Sequence, residues 1–272
     1  MLVCVAGLTV SAAAGTAAAK APRAKASVIG GTPASLTEWG FTVAVLSRHT
    51  LCTGSVVTPT KVLTAAHCVS SPTTMAVRAG STSAFTGGVL HAVGSAAINP
   101  AWTRGFIGDL AVLTLQTPTS APPVQIASTA EDSTLIRPGA AMSVAGFGAR
   151  NPAIRRKMKV GLLTGAQVFV RGFCPLPASL VCDAGGRSGL VALTKIKRKK
   201  RKRSIQRTVC AGDSGGPMVA ATAAGPRLVG VAEATSAPPK RSRFGFVHCG
   251  LKGFPAIHTR TASWLSFIQG NL

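Results

Sequence analysis

Three observations predict an all-β protein. Short apolar runs of strand length, often β-branched, recur along the chain, and Gly, Pro, Ser and Thr punctuate them. The first half shows no helical period beyond one turn around residues 65–69. With 272 residues and 46% hydrophobic content, the chain is long enough to bury a large core as one domain or two smaller ones.

Taken in order, residues 1–19 are apolar and alanine-rich and end on Ala17-Ala18-Ala19, small residues of the kind a signal peptidase needs. We read them as a secretory signal, although no Lys or Arg stands at its start. Ser11, Gly15 and Thr16 interrupt the run and argue against a membrane helix. Residues 20–27 are polar and read as a short propeptide. Strands are then expected over 41–46, 51–57, 75–77, 89–93 and 110–115, and in a second set over 142–145, 160–163, 166–170, 190–193, 218–220, 228–232 and 256–258. Glu131 and Asp132 fall in what reads as a polar loop. Residues 261–270 place Trp264, Leu265 and Ile268 on one helical face, with Gly270 as the stop.

Lys and Arg total 30 against 7 acids, a formal charge of +23 that favours nucleic acid, cell-wall polymers or anionic membranes as neighbours. Basic residues concentrate in Lys195–Arg207 and again at Lys240, Arg241 and Arg243. A run of this kind is either a self-repelling solvated loop or a polyanion site. Removing residues 1–27 takes away Cys4 and leaves an even number of cysteines, which in an exported protein favours disulfides. No His/Cys spacing suggests zinc, no aspartate-rich loop suggests calcium, and no glycine-rich loop runs into a lysine as a phosphate cradle would. Neither a metal nor a nucleotide cofactor is called for.

Chemistry concentrates in Cys210-Ala211-Gly212-Asp213-Ser214-Gly215-Gly216-Pro217, where small neighbours let a serine hydroxyl stand clear and let backbone N–H groups turn toward a substrate oxygen. Two upstream partners complete the set: His67 in Leu63-Thr64-Ala65-Ala66-His67-Cys68 and Asp109 in Gly108-Asp109-Leu110-Ala111. Together with Val28-Ile29-Gly30-Gly31, Ala145-Gly146-Phe147-Gly148 and Pro255-Ala256-Ile257-His258-Thr259, these motifs resemble the chymotrypsin/trypsin-like serine protease family, in the same His, Asp, Ser order.

The resemblance implies two six-stranded antiparallel β-barrels with a C-terminal helix, one over 28–138 carrying His67 and Asp109, the other over 139–272 carrying Ser214. It implies a triad of His67, Asp109 and Ser214, and an oxyanion hole from the Gly212 and Ser214 amides. It also implies an activation pair between Asp213 and the amine freed by cutting before Val28, and disulfides Cys52–Cys68, Cys174–Cys182 and Cys210–Cys249. With the junction before Val28 intact, Asp213 is expected to lack that amine. Specificity departs from trypsin: Thr208 stands where trypsin-like enzymes carry the acid that binds Lys or Arg, and a neutral hydroxyl does not pair with a cation. Thr235 and Ala256 stand where glycines admit large side chains. The expected preference is for small apolar residues, with His258, which is similar to a residue of glutamate-selective bacterial relatives, as the minor alternative. Glu233 departs from the usual Ser-Trp-Gly stretch and adds a carboxylate near Asp109.

The expected function is a secreted, monomeric serine endopeptidase, made as a zymogen, acting on proteins or peptides. The rival expectation is a catalytically weak cationic protein that binds polyanions on the same scaffold.

Overall fold

The computed structural model describes residues 28–103, 105, 107–149, 160–171, 178–185, 187–190, 204–235, 249 and 255–272. The signal and propeptide readings, nearly all of the Lys195–Arg207 run, and Lys240, Arg241 and Arg243 lie outside these residues.

The chain enters through β1 (Thr32–Pro33) and a single helical turn, α1 (Leu36–Trp39), capped by the Ser35 side chain on the Glu38 N–H. Six strands follow: β2 (Thr42–Leu46), β3 (Leu51–Thr58), β4 (Lys61–Thr64), β5 (Ala76–Ala79), β6 (Val89–Ile98) and β7 (Ala111–Leu115). They pair antiparallel as β2-β3-β4-β7-β6-β5 and close into a barrel. Val43, Val45, Leu63, Val77, Val112 and Leu113, all buried, belong to the apolar cluster packed around this barrel. Each such fully buried aliphatic side chain contributes about 1.5–3 kcal/mol relative to exposure.

The connecting segment carries β8 (Gln125–Ile126) and α2 (Thr129–Leu135). Here the expected polar loop is wrong. Ser128 caps the Glu131 N–H while the Glu131 carboxylate accepts from the Ser128 N–H, a reciprocal capping box that starts a helix. The Ser-Thr-Ala-Glu spacing was visible in the sequence.

The second half forms β9 (Ala141–Gly146), β10 (Thr164–Val170), β11 (Leu180–Gly185), β12 (Arg187–Leu190), β13 (Ser204–Gln206), β14 (Pro217–Ala220), β15 (Arg227–Thr235) and β16 (Ala256–Arg260). β9 pairs with both β10 and β14, so the path β9-β10-β11-β16-β15-β14 returns on itself as a second antiparallel ring. β1 joins it at β10, β8 joins β15 in parallel, and β12 and β13 form a separate hairpin. Residues 160–163, expected as a strand, form only a bridge between Leu162 and Ser83. Met142, Val144, Val168, Met218 and Val229 make the second core. Residues 261–270 are a 3-10 turn (Thr261–Trp264) leading into α3 (Leu265–Gln269), with Gly270 as its cap and Ile268 buried against the first barrel's core.

Candidate active site

Strand register brings two of the sequence-predicted residues to one end of the first barrel. Thr64, the last residue of β4, pairs with Ala111, the first of β7. A residue just past β4 and one just before β7 must therefore be neighbours. His67 lies in the 3-10 turn Ala66–Cys68 that follows β4, and the disulfide Cys52–Cys68 ties this turn back to β3. Asp109 precedes β7, after Gly108, whose left-handed φ of 71° and close approach to the Asn99 amide exclude a side chain.

The Asp109 carboxylate is buried and uses both oxygens on one residue. Oδ1 accepts the His67 backbone N–H at 2.9 Å and Oδ2 meets the His67 Nδ1 at 2.6 Å. With an ionised carboxylate as acceptor, Nδ1 carries the hydrogen and Nε2 keeps its lone pair. Imidazole rotation and tautomer are thus both set by Asp109. The His67 side chain is 37% exposed, open to a substrate.

Ser214 lies in the turn before β14, and the Asp213 side chain organises that turn. Fully buried, Asp213 accepts from the Gly148 N–H at 2.7 Å and the Cys210 N–H at 2.8 Å. Its carboxylate packs so tightly on Gly146 and Gly148 that a Cβ at either would overlap it. Burial pushes the Asp213 carboxyl up to about 7 from its ordinary 3.8, against the pull of the two amides. Gly212 and Gly215 turn the chain with φ of 94° and 82°. Among the described residues, the N–H groups of Gly212 and Ser214 are donated to no protein acceptor. The disulfide Cys210–Cys249 anchors the start of the turn. Cys174 lies outside the described residues, so its pairing with Cys182 does too.

The Ser214 hydroxyl donates to the Glu233 carbonyl at 3.5 Å, and among the described residues no hydrogen bond joins it to the His67 Nε2. The Ser214 carbonyl accepts from the Thr53 N–H at 2.8 Å and lies 3.6 Å from the Cys68 Sγ, which brings the serine beside the His67 turn.

Residues 28 and 29 are already docked. Val28 is buried and its nitrogen donates to the Thr164 Oγ1 at 2.5 Å, while Ile29 forms a two-way backbone bridge with Thr208. Asp213 has the two backbone amides and, among the described residues, no cationic partner. Thr208 is 2% exposed and its hydroxyl has no described partner, and Ala256 is fully buried. Thr235 and Ala256 are Cα partners across β15 and β16.

Glu233 lies at a bulge in β15 and is 6% exposed. Its Oε2 accepts from the Thr259 hydroxyl at 2.9 Å, and its Oε1 has no described partner. Burial pushes its carboxyl up to about 8 from 4.5, the Thr259 bond opposes this, and the Asp109 charge adds to it. Near neutral pH burial therefore favours the protonated form of the Glu233 carboxyl.

Sequence reasoning gave no role to Thr53, which contacts the Ser214 turn from the other barrel. Nothing in a threonine within a strand run signals this.

A family model described as Trypsin matches residues 28–173, a span that includes His67 and Asp109. A trypsin of Saccharopolyspora erythraea is 26% identical over 256 residues, covering 89% of this chain and 96% of that protein. Trypsin iota of Drosophila melanogaster is 29% identical over 202 residues, covering 71% of each. The Spaetzle-processing enzyme of the same fly is 32% identical over 139 residues, covering 48% of this chain and 28% of that protein. Two closed antiparallel rings, a short terminal helix and a family match over more than half its length lead to one conclusion: the chain belongs to the trypsin family of chymotrypsin-like serine endopeptidases.

Proposed function

We propose that this endopeptidase works through His67, Asp109 and Ser214, is exported behind a signal over residues 1–19, and is activated by removal of residues 20–27. The observation that carries the reading is the paired contact of Asp109 with the His67 ring and backbone, at the barrel end where Ser214 lies. After a rotation about its Cα–Cβ bond, the Ser214 hydroxyl passes its proton to the His67 Nε2 as its oxygen attacks the scissile carbonyl. The undonated Gly212 and Ser214 N–H groups receive the oxyanion. His67, now an imidazolium held by Asp109, gives its proton to the leaving amine, and water hydrolyses the acyl-enzyme by the same route in reverse.

A neutral Thr208, together with Thr235 and Ala256, supports cleavage after small apolar residues rather than after Lys or Arg. The net charge of +23 favours an added role in polyanion contact, with the chain tethered to an anionic wall or matrix as a monomer. Among the described residues no helix is long and apolar enough to cross a membrane.

The test is fluorophosphonate labelling of the chain freed to begin at Val28, beside its Ser214→Ala variant, followed by a peptide-library digest. Labelling of the parent alone supports the triad. Absence of labelling, with salt-dependent heparin retention intact, would leave only the binding protein. Efficient cutting after Arg or Lys would overturn the pocket reading.

A further inference from the structure

We propose that Thr53 is a positioning residue of the oxyanion hole, gripping the nucleophile turn from the first barrel so that the Gly212 and Ser214 N–H groups keep their direction. The inference rests on the serine-protease reading above and extends it to a residue outside the triad.

Thr53 lies on β3 next to Cys52 and is fully buried. Its hydroxyl donates to the Gly212 carbonyl at 2.9 Å and accepts the Phe147 N–H at 3.1 Å, so its one proton and a lone pair are both used. Its backbone N–H donates to the Ser214 carbonyl at 2.8 Å. Thr53 therefore holds the carbonyls on either side of Asp213, one with its side chain and one with its backbone. Its own carbonyl accepts from the Thr64 hydroxyl at 2.8 Å, which fixes the clamp to the strand that leads to His67.

This turn needs a clamp. Gly212 has no side chain and a φ of 94°, so steric restraint on its peptide planes is weak. The Gly212–Asp213 peptide is held at its N–H end by the Cys210 carbonyl at 2.8 Å, and Thr53 holds the opposite end. Because the same hydroxyl also binds Phe147, it joins three segments: β3, the 146–148 stretch against which Asp213 packs, and the 210–216 turn. A buried hydroxyl so engaged costs little to keep, while its removal orphans a carbonyl and an amide where water cannot replace it.

The experiment compares Thr53→Val, which keeps the volume and loses both hydrogen bonds, with Thr53→Ser, which keeps both. Turnover of a small-residue peptide ester is measured on chains beginning at Val28. Amide exchange across 210–216 is measured on the same chains carrying Ser214→Ala, where turnover plays no part. We expect Thr53→Val to lower kcat about ten- to a hundredfold with KM within about twofold, because misdirected donors affect the transition state alone. Exchange across the turn should rise about tenfold or more, and Thr53→Ser should restore both to within about threefold. An active parent whose kcat survives Thr53→Val, or a turn whose exchange does not change, would overturn the proposal. A parent that fluorophosphonate does not label would sink the protease reading instead, and the exchange comparison would still decide the clamp. If Thr53→Val fails to fold, Thr53→Ala provides the same comparison.

Discussion

Glu233→Gln should stabilise this protein, by an amount that grows with pH. The native carboxyl ionises near 8 and the unfolded one near its ordinary 4.5, so between these values the native state holds a proton that the unfolded state has released. Stability then falls as pH rises through this window, and levels off above about 8. The separation amounts to roughly 5 kcal/mol once both states are ionised and roughly 3 kcal/mol at pH 7, as upper bounds at 1.36 kcal/mol per pH unit. Glutamine keeps the shape and the acceptor for the Thr259 hydroxyl, and it puts an uncharged N–H donor where the Glu233 Oε1 now has no described partner. The assay is urea unfolding of the Ser214→Ala chain with and without Glu233→Gln, followed by tryptophan fluorescence from pH 4 to pH 9. The two chains should be about equally stable at pH 4 and diverge steadily up to pH 8. Parallel pH curves would refute the burial argument, because they would mean that Glu233 ionises freely in the folded state.

Two further outcomes follow from the same structure. Asp213 ionises near 7 in the uncut chain, so stability should decline between about pH 4 and 7. Freeing the Val28 amine should remove that decline by giving the carboxylate a cation, as read from unfolding curves of cut and uncut Ser214→Ala protein. Asp132, buried in α2, accepts the Arg260 Nε at 2.6 Å at the end of β16, and Asp132→Ala should cost about 1.5–3 kcal/mol of unfolding free energy by taking the charged acceptor from a guanidinium that is itself partly exposed. A loss below about 0.5 kcal/mol would reduce the pair to a surface contact.

Legibility varied with the range of the interaction. Val43, Val45, Val112 and Leu113 mark their strands by local composition, and Trp264, Leu265 and Ile268 mark the terminal helix by their period. β4 escaped because four residues between a Pro-Thr turn and the histidine motif are too few to show a pattern, and their pairing with both β3 and β7 defines them instead. α2 escaped because its capping box was read as polar composition. Thr53 was illegible in principle: it and Gly212 are 159 positions apart, and their hydrogen bond exists only once both rings have closed.

From the sequence alone follow the β class, the cationic balance and the candidacy of His67, Asp109 and Ser214, since motif chemistry and strand periodicity are properties of neighbouring residues. The tertiary structure decided which groups share a buried space. It set the His67 ring on one oxygen of Asp109 and the His67 backbone N–H on the other, put the Glu233 carboxyl where burial favours its neutral form, and gave a threonine of one barrel a hold on the Ser214 turn of the other. Burial and hydrogen-bond pairing between distant segments depend on how the sheets close, and linear order does not encode that closure locally.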